Sequence, residues 1–161
     1  MNNSKHGREP ITILLADDSE DDRLMTREAL AESFVHNPLR EVEDGEEVMD
    51  YLQRRGAYTN PDDAPRPGLI LLDLNMPRKS GHEALQEIKA DPSLRSIPVV
   101  MLTTSQAEAD IVLSYDLGVS SFISKPVSFA ALVETMRAFG KYWIEIVVIP
   151  QSDELPQSDD P

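Results

Sequence analysis

Short apolar runs alternate with segments of helical spacing along most of the chain, and this alternation limits the folds that the chain can adopt. Five runs are short and apolar enough to be strands, the second being the weakest: residues 11–16, 39–42, 69–73, 97–103 and 121–124. Between them apolar residues recur every three or four positions, as in a stripe of Leu132, Met136, Phe139 and Trp143. Strands joined by helices run parallel, with helices on both faces of the sheet. The pattern predicts an α/β fold, a doubly wound five-stranded parallel sheet with five helices.

Local signals mark helix starts and one long connection. Ser19, with Asp22 three residues later, is expected to cap the first helix, and Ser128 the last. Residues 55–68 contain three prolines and two glycines, which predicts an extended surface loop that is either functional or a solvated insertion.

The same patterns divide the chain into four parts. Residues 1–10 are expected to be a flexible N-terminus and residues 11–143 to form one domain. Residues 144–150 are an apolar extension, and residues 151–161 are rich in Pro, Ser and Asp, which predicts a disordered acidic tail.

Composition excludes several classes of function. A formal net charge of -14 argues against nucleic acid or an anionic membrane surface as a partner. The absence of cysteine excludes thiolate metal sites and cysteine nucleophiles. The apolar run from Trp143 to Ile149 is too short to span a bilayer, and Met1 to Pro10 does not resemble a signal peptide, so we expect a cytoplasmic protein.

Polar side chains lie at the ends of four predicted strands. Asp17 and Asp18 follow the first strand, Asp73 ends the third, Thr103 ends the fourth and Lys125 follows the fifth. Parallel strands end at one edge of a sheet, where ligands of such folds bind. Two carboxylates ~4 Å apart repel by roughly 4 kcal/mol at an effective dielectric constant near 20. Three carboxylates with no cysteine or nearby histidine therefore favour a hard divalent cation, and Mg²⁺ fits a site for phosphate.

This set of residues can support phosphoryl transfer, which depends mainly on positioning and charge neutralisation. A carboxylate can form an acyl phosphate, while Mg²⁺, Lys125 and the Thr103 hydroxyl bind phosphoryl oxygens. Each residue alone also has a structural interpretation: the acids as helix caps or turn formers, the lysine as a surface charge, the threonine as a strand residue. Their joint placement favours the functional interpretation.

The chain resembles the receiver domain of two-component response regulators, which have a flavodoxin-like fold. The matching pieces are residues 15–19, residues 72–77 with Gly81, residues 98–104 and residues 125–126. Thr103 lies 30 positions after Asp73 and Lys125 lies 22 after Thr103, as in the family. The long loop and the C-terminal extension resemble the single-domain regulators that serve phytochrome-type histidine kinases.

The resemblance implies a role for each site residue. Asp73 would be the phosphoacceptor, served by a sensor histidine kinase. Mg²⁺ would be bound by Asp18, Asp73 and the backbone carbonyl of Asn75, with Asp17 acting through water. No output domain is expected after the last helix, so the signal would pass to another protein, which the sequence does not identify, or through self-association.

The resemblance also implies a switch pair. Thr103 would move toward the phosphoryl group and the ring of Phe122 would turn inward, although Phe122 can also be read as ordinary core filler. Thr104 stands where the family often has Ala or Gly, which puts the access of the attacking water in doubt.

Three functions other than that of a receiver domain fit the sequence less well. A flavodoxin-like cofactor binder needs a phosphate-binding loop after the first strand, but residues 17–22 hold five carboxylates. An aspartyl phosphatase needs a second acid two residues after its nucleophile, where this chain has Asn75. A pseudo-receiver scaffold usually lacks the acceptor or the lysine, and both are present here. The chain is therefore expected to be a phosphoacceptor that catalyses only its own phosphorylation and dephosphorylation, not an enzyme.

The apolar extension predicts a homodimer. Its strand-forming residues would leave an exposed apolar segment unless a second copy covered it. We expect the dimer arm to use Trp143, Ile144, Ile146 and Val148. The alternative is that the run folds back along its own last helix.

Overall fold

A computed structural model of the protein describes residues 10–149. Strands and helices alternate in the following order: β1 (Thr12–Ala16), α1 (Glu20–Glu32), β2 (Leu39–Val42), α2 (Gly45–Gln53), β3 (Pro67–Leu72), α3 (Gly81–Ala90), β4 (Val99–Thr103), α4 (Glu108–Asp116), β5 (Ser121–Ser124) and α5 (Phe129–Phe139). All neighbouring strands are parallel, in the order β2-β1-β3-β4-β5. The predicted doubly wound sheet with five helices is confirmed.

Alternate residues of the strands supply two separate cores, one on each face of the sheet. Leu14 and Ile70 belong to a core under α2 and α3. Ile13 and Leu71 belong to a core under α1 and α5, together with the predicted stripe of α5. All six residues of β3 are buried, as expected for a central parallel strand covered on both faces.

The predicted helix caps are confirmed. The Ser19 hydroxyl accepts a hydrogen bond of 3.1 Å from the amide of Asp22, and the Ser128 hydroxyl accepts one of 3.1 Å from the amide of Ala131. These bonds satisfy amides at the helix starts that have no partner within the helix.

Three strands differ from their predicted bounds by one or two residues. β1 begins at Thr12 and β3 at Pro67, while β4 begins only at Val99. Proline can start a strand because its missing amide donor is not needed there. The Ile97 amide instead donates to the Leu94 carbonyl in a turn.

Residues 55–68 lie largely at the surface, as predicted, but they do not form an extended loop throughout. The segment contains two 3₁₀-helices, Gly56–Tyr58 and Pro61–Asp63, and its end forms the start of β3. The Tyr58 hydroxyl donates to Glu47 over 2.5 Å, and the two rings of Tyr51 and Tyr58 pack edge to face. These contacts attach the loop to α2.

The prediction of strand character after α5 is also wrong. A π-helix, Gly140–Ile146, continues directly from α5. Trp143 and Ile149 are only 8% and 6% exposed and belong to the core under α1 and α5, while Ile144 is half-buried against it. The domain therefore buries Trp143 and Ile149 itself, in line with the alternative interpretation, whereas Val148 remains 80% exposed. Residues 1–9 and 150–161, predicted to be flexible or disordered, lie outside the described residues, as does the side chain of Ile146.

Helix α4 packs differently from the other four helices. Its one buried residue is Ser114, whereas Val112, Leu113 and Tyr115 are 43% to 51% exposed. The Ser114 hydroxyl donates to the carbonyl of Asp110 over 2.8 Å and lies 2.8 Å from Nε2 of His82. The contact with His82 of α3, rather than apolar packing, thus attaches the centre of α4 to the domain. Among the described residues, no helix is both long and apolar enough to span a membrane.

Candidate phosphoacceptor site

Backbone hydrogen bonds beyond the strands bring the predicted site residues to one edge of the sheet. The amide of Asp73 donates to the carbonyl of Ala16 over 2.9 Å, and the amide of Lys125 donates to the carbonyl of Thr103 over 2.6 Å. The carboxyl ends of β1, β3, β4 and β5 therefore meet here, as the strand-end pattern predicts.

Three carboxylates form a cluster at this edge. One oxygen from each of Asp17, Asp18 and Asp73 lies within 4.8 Å of the other two. Asp17 is 2% exposed and Asp73 is 9% exposed, whereas Asp18 is open to solvent. Two buried acids and one accessible acid can bind a cation that arrives from solution.

Lys125 is the buried cation of the cluster. Its Nζ donates to Oδ2 of Asp17 over 2.6 Å and to Oδ2 of Asp22 over 3.3 Å. Burial by itself lowers the pKa of Lys125, but the hydrogen bond and charge of Asp17, with the charges of Asp73 and Asp22, hold it above its ordinary value. The lysine therefore stays protonated and available to a negatively charged group.

Burial is also the main influence on Asp73, and it raises the pKa of this carboxyl above its ordinary value. The charge of Lys125 is the largest opposing influence. The charge of Asp17 raises the pKa further, while hydrogen bonds from the Thr103 side chain and the Asn75 backbone lower it. Asp73 is thus a partly desolvated carboxylate whose charge is incompletely compensated, which favours its reaction with an electrophile or a cation.

The predicted switch residues lie on neighbouring strands. Thr103 is fully buried and contacts Asp73, while Thr104 beside it is exposed. Phe122 is opposite Met101 in the sheet and is half-buried against the core under α2 and α3. Its amide donates to the Tyr115 hydroxyl over 3.2 Å. The ring is therefore neither fully in the core nor fully outside it.

The loop after Asp73 needs a glycine at its end. The amide of Gly81 donates to the carbonyl of Leu74 over 2.8 Å, which brings the start of α3 close to Asp73. A Cβ at Gly81 would collide with the Asp73 carbonyl oxygen. This glycine allows α3 to begin directly beside Asp73.

The sequence did not predict two further residues of this site. Asp22 was predicted only as the partner of a helix cap, yet its carboxylate binds Lys125. Its position in the first turn of α1, close in sequence to Asp17 and Asp18, could have indicated this. The other is Ser105, whose amide donates to the Thr103 hydroxyl over 3.3 Å and whose own hydroxyl donates to Asp110 over 2.7 Å.

The residues present fit a divalent cation. The donor atoms are carboxylate oxygens, which hard cations prefer. One ammonium group, that of Lys125, faces the three clustered carboxylates and is hydrogen-bonded to Asp17. A divalent cation would balance the remaining formal charge of this cluster.

Comparison with known proteins identifies the family of the chain. Residues 13–137 match the family model of the response regulator receiver domain. The response regulator Rcp1 of Synechocystis sp. is 41% identical over 147 residues, which make up 91% of this chain and 98% of that protein.

Solved structures agree with the sequence comparison. The phosphorylated cyanobacterial phytochrome response regulator RcpA is 43% identical, with a TM-score of 0.82 over 89% of this chain and 100% of that chain. The Mn²⁺-bound form of Rcp1 is 41% identical, with a TM-score of 0.79 over 88% of this chain and 99% of that chain.

Proposed function

Because the chain belongs to the family of response regulator receiver domains, we propose that it accepts a phosphoryl group from a sensor histidine kinase on Asp73. The observation that carries the proposal is the surroundings of this carboxylate. It lies beside Asp17 and Asp18 at the edge of the sheet, within the influence of Lys125 and in hydrogen-bond contact with Thr103. In this proposal Asp73 is the nucleophile and the acids are the cation ligands. Lys125 and Thr103 are the donors to phosphoryl oxygens.

In the proposed reaction, an oxygen of the Asp73 carboxylate attacks the phosphorus of a phosphohistidine. The phosphorus–nitrogen bond breaks, and its electron pair remains on the imidazole nitrogen. The products are an acyl phosphate on Asp73 and an unmodified histidine on the kinase. Lys125 would then exchange its bond with Asp22 for one with a phosphoryl oxygen, and the Thr103 hydroxyl would donate to another.

We propose Mg²⁺ as the cation, with Asp18, Asp73 and the backbone carbonyl of Asn75 as ligands and Asp17 assisting through water. Bound Mg²⁺ supplies positive charge that neutralises the transferred group. The carboxylate cluster supports a divalent cation here, as does the Mn²⁺ bound by the related protein Rcp1.

We propose that the signal leaves the site through Thr103. When its hydroxyl turns to the phosphoryl group, it gives up its bond from the amide of Ser105, which is linked to Asp110 of α4. The half-buried ring of Phe122 would then turn inward. Helix α4, with its exposed apolar residues, is the surface that we expect to change.

The two remaining alternatives lack support from the site. A pseudo-receiver scaffold does not require the acceptor, the lysine and the threonine to meet, whereas here they do. An aspartyl phosphatase would need an acid at Asn75. We therefore propose a phosphoacceptor and not an enzyme that turns over external substrates. We place the exchange in the cytoplasm, where ATP phosphorylates the kinase.

We propose a phytochrome-type histidine kinase as the donor, supported by the likeness to the phytochrome response regulator RcpA. Phosphotransfer from a panel of phosphorylated histidine kinases tests this. We expect the phytochrome-type kinase to transfer its label to this chain at least about tenfold faster than the others, and to transfer none to Asp73→Asn. Equal rates from all kinases would reject the phytochrome assignment, and labelling of Asp73→Asn would reject the acceptor.

We also propose a homodimer. The buried position of Trp143 removes it from the predicted arm, so the exposed side chains of Val148 and Tyr142 are the contacts that we expect the second copy to cover. Val148→Asp should give a monomer in light scattering at micromolar concentration, whereas Val127→Asp, at a position that is 96% exposed in the loop before α5, should stay dimeric. A monomeric parent protein, with and without phosphorylation, would contradict the dimer.

A further inference from the structure

The loop between β3 and α3 has a strained backbone at Arg78. Within residues 10–149, three residues other than glycine have a positive φ, namely Phe34, Arg54 and Arg78. Phe34 and Arg54 lie directly after α1 and α2, where a left-handed residue commonly ends a helix. Arg78 has a φ of 69° within the loop, where no helix ends and where a residue with a side chain is disfavoured. This conformation therefore needs contacts that hold it.

Backbone hydrogen bonds define the shape of this loop. The Lys79 amide donates to the Pro77 carbonyl over 2.7 Å, which closes a γ-turn of the rare form whose central residue, Arg78, has a positive φ. The bond from the Gly81 amide to the Leu74 carbonyl joins the two ends of the loop. The loop is thus folded tightly back on itself.

Two contacts from the start of α2 hold the γ-turn. The Asp44 carboxylate, which is buried, accepts hydrogen bonds from Nε and Nη2 of Arg78 on its Oδ2 atom, over 3.2 and 3.0 Å. The Gly45 amide donates to the Lys79 carbonyl over 3.0 Å. A Cβ at Gly45 would collide with that carbonyl oxygen, so the close approach requires glycine. The strained residue is therefore fixed both by its own side chain and by the carbonyl of its neighbour.

The same carboxylate of Asp44 also caps α2. Its Oδ1 atom accepts a hydrogen bond of 2.8 Å from the amide of Glu47. A helix cap needs a single acceptor oxygen, and Asn caps a helix about as well as Asp does. The contact of Oδ2 with Arg78 is therefore not required by the helix, and it needs an explanation of its own.

The loop also carries the backbone carbonyl that we propose as a ligand of the cation. This carbonyl belongs to Asn75, which is exposed between the buried residues Leu74 and Met76. These two neighbours anchor one side of the loop in the core under α2 and α3. The Asn75 amide donates to the Asp73 carboxyl. The γ-turn at Arg78, three residues further along, fixes the other side of the loop.

We propose that Asp44 and Arg78 are positioning residues for the cation site. Their ion pair holds the γ-turn, and the γ-turn holds the Asn75 carbonyl in place relative to Asp73. Mg²⁺ demands a near-ideal arrangement of its oxygen ligands, so a small displacement of one ligand weakens binding. The inference rests on the proposed function, since it assumes that this carbonyl is a ligand.

Charge alone predicts the opposite effect for one of the two residues. Removal of the positive charge of Arg78 makes the surroundings of the site more negative, which would strengthen the binding of a cation. Loss of positioning would weaken that binding. The direction in which the Kd for Mg²⁺ changes in an Arg78 variant therefore separates the two explanations.

Titration of the full chain with Mg²⁺, followed by two-dimensional NMR, tests the proposal. Arg78→Ala should raise the Kd about threefold or more, and so should Asp44→Asn, which keeps the cap of α2. The variant with both changes should bind about as weakly as the single variants, not with the product of their effects, because the two side chains act as one pair. Arg78→Lys keeps the charge without the planar fork of donors, so its Kd should be intermediate.

The backbone contact is tested separately by Gly45→Ala. Alanine favours a helix more than glycine does, so α2 itself should gain stability. The added Cβ would nevertheless displace the Lys79 carbonyl, and the Kd for Mg²⁺ should rise. A merely structural role of this contact would change the urea unfolding curve but not the Kd of the folded chain.

Arg55→Ala is the matched control. It removes the same charge and an Arg–Asp pair, that with Asp50, near the other end of α2, so its Kd should equal that of the parent. A Kd in Arg78→Ala that equals or falls below the parent value would overturn this inference and leave the proposed acceptor standing. A parent protein that binds no Mg²⁺ would overturn the inference together with the proposed cation.

Discussion

The interior of the sheet and its carboxyl-terminal edge belong to the same strands, yet they are built in opposite ways. In the interior, Ile70, Leu71 and Leu72 of β3 are completely buried among apolar neighbours. One residue further along, Asp73 is 9% exposed and lies in a cluster with two other acids. Burial stabilises the interior but raises the free energy of the charged edge, because desolvation disfavours ions.

Within a single strand, the residues that stabilise the fold are thus different from the residue that we propose to be phosphorylated. The two cores hold the fold together, so the edge can retain a carboxylate whose pKa is raised by burial. A change in the interior should therefore weaken the fold without altering the chemistry of the edge. A change at the edge should alter the chemistry without weakening the fold. Four measurements test this contrast.

The largest expected effect is that of Asp73→Asn on phosphorylation. Asn is a poor nucleophile of nearly the same size, so incubation with acetyl phosphate and Mg²⁺ should give no phosphorylated species in intact-mass spectra. Since burial on balance disfavours the charged acid, the melting temperature of the variant should also rise. Asp116→Asn, at an exposed position at the end of α4, should change neither property. Stoichiometric labelling of Asp73→Asn would show that the acceptor is another residue.

Next in size is a truncation in the interior. Leu71→Ala should lower the free energy of unfolding by about 3 kcal/mol, because it leaves a cavity in the core under α1 and α5. The fraction that remains folded should still be labelled by acetyl phosphate. Urea unfolding measures the loss, and Val127→Ala, at an exposed position, should stay within about 0.5 kcal/mol of the parent. A loss below about 1 kcal/mol at Leu71 would mean that the interior does not dominate stability.

A smaller effect is expected from the cation. At a Mg²⁺ concentration of ten times Kd, stability should rise by about 1.4 kcal/mol, since only the folded chain brings the three acids together. Asp18→Ala should remove most of that gain and Asp116→Ala none of it. Thermal melts with and without Mg²⁺ provide the measurement, and a parent melting curve that does not move would argue against the site.

The smallest effect is a dependence on pH. The folded pKa of Asp73 lies above its ordinary value of 3.8, so its stabilising contribution is complete below that value and is lost as the pH rises through the folded pKa. The parent should therefore gain stability relative to Asp73→Asn as the pH falls from about 7 to about 4. The pKa of Lys125 is raised above 10.5, so this lysine stays charged throughout that range. A constant difference between the two urea unfolding curves would contradict the raised pKa.

The sequence predicts the interior better than the edge. Apolar periodicity is enough to place five parallel strands, the two faces of the sheet and the buried stripe of α5, because burial follows from which residues share a face. It also brings Asp17, Asp73, Thr103 and Lys125 to one edge, because parallel strands end together. Periodicity does not determine which of several acids a lysine will bind, so the contact between Lys125 and Asp22 is seen only in the structure.

Local preference also fails where tertiary packing opposes it. Ile144, Ile146 and Val147 favour a strand, yet the first two lie in a π-helix that brings Trp143 into the core. The prolines of residues 55–68 favour an open loop, but Tyr58 reaches back to Glu47 and attaches the segment to α2. In both places contacts distant in sequence outweigh the preference of the residues themselves.

The polar attachment of α4 affects how often the amides of this helix become exposed to solvent. Helices held by apolar packing open to solvent mainly when the whole domain unfolds, whereas weakly packed segments open on their own and more often. With Ser114 as its single buried residue, α4 should exchange its amide hydrogens through such local openings, at rates that are insensitive to low urea concentrations. The amides of α5, whose Leu132, Met136 and Phe139 are buried, should exchange only with global unfolding. Among the five helices, α4, which follows Thr103 in the chain, is thus the one that we expect to rearrange at the lowest free-energy cost.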